Sequence, residues 1–138
     1  MSAQRASSAP IYLDASALLK LVFDEPETQA LETFLRDKPL RTCSVIGRVE
    51  VLRAARRAED PIVEQHARTV IGGLTPIHLD EIVLQRACEL APRGLRALDA
   101  IHLATALSLE PDIAGMVVYD SQLSKAARDA GLTTWAPR

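Results

Sequence analysis

Five short apolar runs, each too brief to be a helix, alternate along this chain with stretches of helical period, and few folds accommodate that alternation. Residues 10–13 read as a buried strand that ends at Asp14, and ASALLKLVF follows as a helix. Pro26 opens a second helix, PETQALETFLRD, with Leu31, Phe34 and Leu35 at helical spacing. LRTCSVI is strand-like, GRVEVLRAARRAED is a helix stopped at Pro61, and PIVEQHARTVIGG is a helix with a Gly-Gly stop. TPIHL reads as a short strand, DEIVLQRACELA as a helix capped by Asp80, and ALDAIHLATALSL as an apolar helix ending before Pro111. GMVVY is a buried strand running to Asp120, SQLSKAARDAG is a helix with Gly131 at its C′ end, and LTTWA is a candidate last strand.

Strands separated by helices imply right-handed crossovers and an α/β fold whose parallel sheet is covered on both faces. Sites in such sheets form beyond the carboxyl ends of the strands, where Asp14 and Asp120 both stand. A length of 138 residues gives room for one domain, expected over residues 10–138. Residues 1–9 are small, polar and unpatterned, and read as a flexible tail. Hydrophobic residues make up 48% of the chain, which argues against disorder. Aromatics are only 4%, so the core must be aliphatic. The first ten residues hold no apolar signal region and no run reaches membrane-spanning length, so a cytoplasmic protein is expected. Cys43 and Cys88 lie far apart with no CxxC pattern, which disfavours a zinc or redox site and suggests two buried thiols.

The carboxylates are the chemistry-bearing residues, and each has an ordinary alternative. Asp14 and Asp120 stand where helix N-caps belong, and Asp99 lies in a first turn, where negative charge suits the helix dipole. Glu50 lies inside a helix on the row Ile46–Glu50–Ala54, and its ordinary alternative is a pair with Arg53. Brought together, such acids repel: two at ~4 Å cost on the order of 4 kcal/mol at an effective dielectric near 20. Protons or a hard cation must neutralise a cluster of this kind. Oxygen donors without a His/Cys set favour Mg²⁺ or Mn²⁺, which suits hydrolysis of a phosphodiester.

YLDASALLKL, RVEVLRAARR, LDAIHLATAL and VVYDSQLSKAARDAGL, in that order from about residue 11 to residue 135, resemble the PIN-domain toxins of bacterial toxin–antitoxin modules, the VapC type. None of the four is specific alone; their order and spacing are. The resemblance implies a three-layer α/β/α PIN-like fold with a central parallel sheet and an Mg²⁺- or Mn²⁺-dependent endoribonuclease acting on RNA. Asp14, Asp99 and Asp120 would be metal ligands, Glu50 a catalytic acid acting through water, and Ser16 a supporting hydroxyl. It implies further a homodimer and a cognate antitoxin whose C-terminal segment occupies the groove. Two departures stand out: some nine residues precede the first strand, and Val118 stands where many members carry Ser or Thr.

Arg48, Arg53, Arg56 and Arg57 flank Glu50, and Arg93 and Arg96 precede Asp99; all are candidate RNA-phosphate contacts, with a solvated helix face as the alternative. A net charge of -2 weighs mildly against a nucleic-acid binder, less so if the site itself is acidic. His102 reads as a packed or hydrogen-bonded helix residue, and Trp135 as a packing residue of the last strand. Other readings are a PIN-fold nuclease of RNA processing or DNA cleavage, a non-catalytic PIN-like module, and an aspartate phosphoacceptor. The last lacks both a second acid beside Asp14 and a Lys at a strand end, since Lys125 lies inside a helix.

Overall fold

A computed structural model describes residues 9–138, so nearly all of the expected tail lies outside the described residues. Five parallel strands form one sheet in the order β3-β2-β1-β4-β5. They are β1 (Ile11–Leu13), β2 (Arg41–Ser44), β3 (Thr75–Ile77), β4 (Gly115–Val117) and β5 (Thr134–Trp135). Helices α1 (Ala15–Val22) and α2 (Thr28–Leu35) join β1 to β2, and α3 (Val45–Arg57) and α4 (Pro61–Gly72) join β2 to β3. Helices α5 (Glu81–Glu89) and α6 (Ala97–Leu107) carry the chain from β3 across to β4, and α7 (Ser121–Asp129) leads to β5.

The helices pack in two groups, α1 with α2, α3 and α4, and α6 with α5 and α7. The chain steps outward from β1 to β3 and then returns past β1 to β4 and β5, and right-handed crossovers in opposite directions put the two groups on opposite faces. This is the expected three-layer arrangement. The central strand explains itself: Ile11, Tyr12 and Leu13 are all buried, as a parallel strand covered on both faces requires. Around it lie Leu18, Leu31, Leu35, Leu103, Leu107, Met116 and Leu123, an aliphatic core as the composition demanded.

Local signals held where a cap or stop fixed them. Asp80 caps α5 through the N–H of Val83 at 2.8 Å, Pro61 opens α4, and Gly131 follows α7 with φ +100°. All five strands are shorter than expected. Ser44 accepts the N–H of Ile46 at 3.2 Å, so α3 starts at Val45 and takes two β-branched residues from the strand. β4 ends at Val117, leaving Val118 and Tyr119 between the strand and Asp120. The thiols also differ from expectation: Cys43 is buried, but Cys88 faces outward from α5. No helix among the described residues is long and apolar enough to cross a membrane.

Candidate functional site

The sheet order reverses between β1 and β4, and crevices form beyond the carboxyl ends of strands at such a switch point. A groove of about 660 Å³ opens there, and Asp14, Glu50, Asp99 and Asp120 all line it. Four acids spread along the chain from Asp14 to Asp120 therefore face one space, brought in by β1, α3, α6 and the β4–α7 junction. Ser16 joins them.

The ordinary roles of two acids are also realised. Asp14 Oδ1 accepts the N–H of Ala17 at 2.9 Å and caps α1, and Asp120 Oδ2 accepts the N–H of Leu123 at 2.8 Å and caps α7. Capping uses one oxygen of each carboxylate. Ser16 donates to both oxygens of Asp14, at 2.8 and 3.0 Å, and so fixes the carboxylate that it follows.

What separates these acids from ordinary caps is their charge balance. Among the described residues, no cation lies within salt-bridge distance of Asp14, Asp99 or Asp120. Asp14 is only 3% exposed. Burial pushes its carboxyl above the usual range against the pull of Ala17, Ser16 and His102, and Asp99 adds a further push. Asp99 is raised by burial and by Asp120, with Glu50 adding to the effect and His102 and Arg96 opposing it. Glu50 alone is paired, its Oε1 lying 2.7 Å from His102 Nε2. No three acids, His or Cys among the described residues form a finished metal cage. Aspartates lining one open groove without an ion-pair partner among the described residues nonetheless suit a hard divalent ion, whose remaining ligands are water and substrate.

The arginines divide. Arg53, Arg57 and Arg96 line the groove, whereas Arg48 lines a separate recess with Cys43 and Ile71, Arg56 lines another with Glu64 and Arg68, and Arg93 lines none of these. Helical periodicity could have made this division: Ile46, Val49, Glu50, Arg53, Ala54 and Arg57 form one stripe of α3, and Arg48 lies off it. Val49 and Leu98, 53% and 46% exposed, give the groove an apolar shoulder that sequence reasoning missed. Val118 is buried and lies outside the groove lining, so no hydroxyl is presented from that position. Lys125 is paired with Asp129 on the surface of α7 at 2.8 Å, away from any strand end, as a phosphoacceptor site would not have it. Trp135 packs against Phe34 at a ring separation of 5.3 Å.

A family model for the PIN domain matches residues 11–129. Ribonuclease VapC46 of Mycobacterium tuberculosis is 40% identical over 129 residues, which cover 94% of this chain and 98% of that protein. Ribonuclease VapC47 of the same organism is 38% identical over 131 residues, covering 92% and 96%. Among solved structures, a toxin–antitoxin complex from Klebsiella pneumoniae superposes with a TM-score of 0.70 at 21% identity, covering 93% of this chain and 98% of that one. The Mycobacterium tuberculosis toxin VapC20, which cleaves the sarcin–ricin loop, superposes with a TM-score of 0.70 at 17% identity, covering 89% and 96%.

Proposed function

The chain belongs to the PIN-domain family, and from that premise we propose that it is an endoribonuclease, the toxin of a toxin–antitoxin pair, that hydrolyses RNA with a divalent metal ion. The observation that carries the reading is the groove itself, lined by three aspartates, Asp14 buried, Asp99 half-buried and Asp120 exposed, without an ion-pair partner among the described residues.

Asp14, Asp99 and Asp120 would hold the ion, and their all-oxygen donor set favours Mg²⁺ or Mn²⁺. When bound, such an ion lowers the pKa of water and offsets charge developing on phosphoryl oxygen. The chain's own residues do the rest. Ser16 holds the Asp14 carboxylate in place, and Glu50 orients the water that attacks phosphorus. Arg53, Arg57 and Arg96 hold flanking phosphates and offset the repulsion between an acidic groove and a polyanion. Hydrolysis on this plan leaves a 5′-phosphate and a 3′-hydroxyl, with no side chain as covalent nucleophile. The partner is an antitoxin whose C-terminal segment lies in the groove, seated on the apolar shoulder of Val49 and Leu98. A cytoplasmic homodimer completes the proposal.

Cleavage-site mapping on total RNA with Mn²⁺ present tests it. Wild type is expected to cut at discrete sites, and Asp14→Asn to lose at least a thousandfold in rate. Cleavage retained by Asp14→Asn removes that aspartate from the mechanism, and discrete cutting of DNA but not RNA replaces the substrate.

A further inference from the structure

Glu50 differs from the other groove acids in having an ionisable partner, and that partner is itself held. His102 is 2% exposed, and both of its ring nitrogens are engaged. Nε2 lies 2.7 Å from Glu50 Oε1, and Nδ1 lies 2.7 Å from the hydroxyl of Tyr12, a residue with no exposed surface. The Tyr12 hydroxyl in turn accepts the N–H of Ser44 at 3.0 Å. With that acceptor site filled, the Tyr12 O–H is free to donate to Nδ1. Nε2 faces a carboxylate and must carry the proton it shares with it, whether the ring is neutral or charged.

The placement of these residues is not that of a core histidine satisfied by chance. Tyr12 lies two residues before Asp14 on the extended β1–Asp14 segment, so the two side chains share a face. His102 lies one turn beyond Asp99 on α6, on the same face of that helix. Glu50 lies one turn beyond Gly47 on α3, and Gly47 lets that helix approach: a Cβ there would sit 3.3 Å from His102 Cε1 and 2.2 Å from Cys43 Sγ. One imidazole thus ties together the elements that carry Asp14, Glu50 and Asp99.

We propose that His102, fixed by Tyr12, is a positioning residue that locks the Glu50 carboxylate in one orientation at the groove. Without it, a glutamate side chain 28% exposed would sample several rotamers, and only some would aim an oxygen at the attacking water. The inference rests on the reading of Glu50 given above.

The test is a double-mutant cycle on RNA cleavage, with His102→Leu, Glu50→Gln and the double variant. His102→Leu is expected to lower kcat roughly 10–100-fold, the range of residues that orient others at metal sites, with KM changed by less than about threefold. In the Glu50→Gln background the same change is expected to have less than about a twofold effect, because there is no longer a carboxylate to orient. His102→Gln, whose amide can still donate to Glu50, is expected to recover most of the rate. If the Leu variant fails to fold, Tyr12→Phe takes its place in the cycle, since it frees the ring while leaving the Glu50 bond. Effects of His102 and Glu50 that multiply overturn the inference and leave a structural histidine. Wild-type cleavage by Glu50→Gln alone removes Glu50 from the mechanism and the inference with it.

Discussion

The two ends of α1 treat acidic residues in opposite ways. At the N-terminal end, Asp14 is buried, has no cation within pairing distance among the described residues, and holds its proton more tightly than a free carboxyl. Just past the C-terminal end, Glu25 and Glu27 lie 3.3 and 3.1 Å from Lys20, and Arg138 lies 3.5 Å from Glu27. The hydrogen bond from Lys20 draws the Glu27 carboxyl below its usual range. At one end charge is balanced within the chain; at the other no ion-pair partner is present among the described residues. On the function proposed above, acids of the first kind hold the fold together and acids of the second kind make the site.

The largest effect that would sharpen this contrast is metal linkage. Mn²⁺ at 100 times its Kd should stabilise the protein by ~2.7 kcal/mol, read as a rise in Tm that EDTA reverses. Asp14→Asn and Asp99→Asn are expected to lose most of that response, and Lys20→Ala to keep it. A melting curve indifferent to Mn²⁺ would erase the difference between the two ends. Next in size is the stability of the metal-free protein. Asp14→Asn keeps an oxygen to cap α1 while removing a buried charge, so Tm in EDTA should stay level or rise. Lys20→Ala should lower Tm, and the loss should fade in 1 M salt, where the Debye length is about 3 Å. A fall in Tm for Asp14→Asn would mean that the aspartate contributes net stability as it stands.

The sequence carried the layered architecture because its signals were local: Asp80, Pro61 and Gly131 each set a helix end through a contact within a few residues. It carried the meeting of the four acids only as an expectation, since no periodicity links Asp14 to Asp99 or Asp120. The Ser44 cap was harder to read, because the β-branched Val45 and Ile46 resemble a continuing strand until the hydroxyl is seen to accept from Ile46. The apolar shoulder was within reach, as Val49 falls on the α3 stripe that contains Glu50. The Tyr12–His102–Glu50 connection was not. Its members lie 90 and 52 positions apart, and only the packing of β1, α3 and α6 brings them into line.

The finest distinction between the two ends of α1 lies in pH. Asp14 binds its proton more tightly in the folded chain, so its contribution favours folding below the unfolded carboxyl range, near 4, and is lost as pH rises through the raised folded value. Glu27 releases its proton more readily in the folded chain, so its contribution is present above that range and is lost as pH falls through the lowered folded value. In metal-free protein the two slopes oppose each other. Glu27→Gln removes the rising one, so stability should climb less steeply from acid to neutral pH than in wild type. Asp14→Asn removes the falling one, so stability should climb more steeply. Denaturant midpoints measured across that interval in EDTA separate the two, and a shift of both variants in the same direction would show that the ends of α1 are electrostatically alike after all.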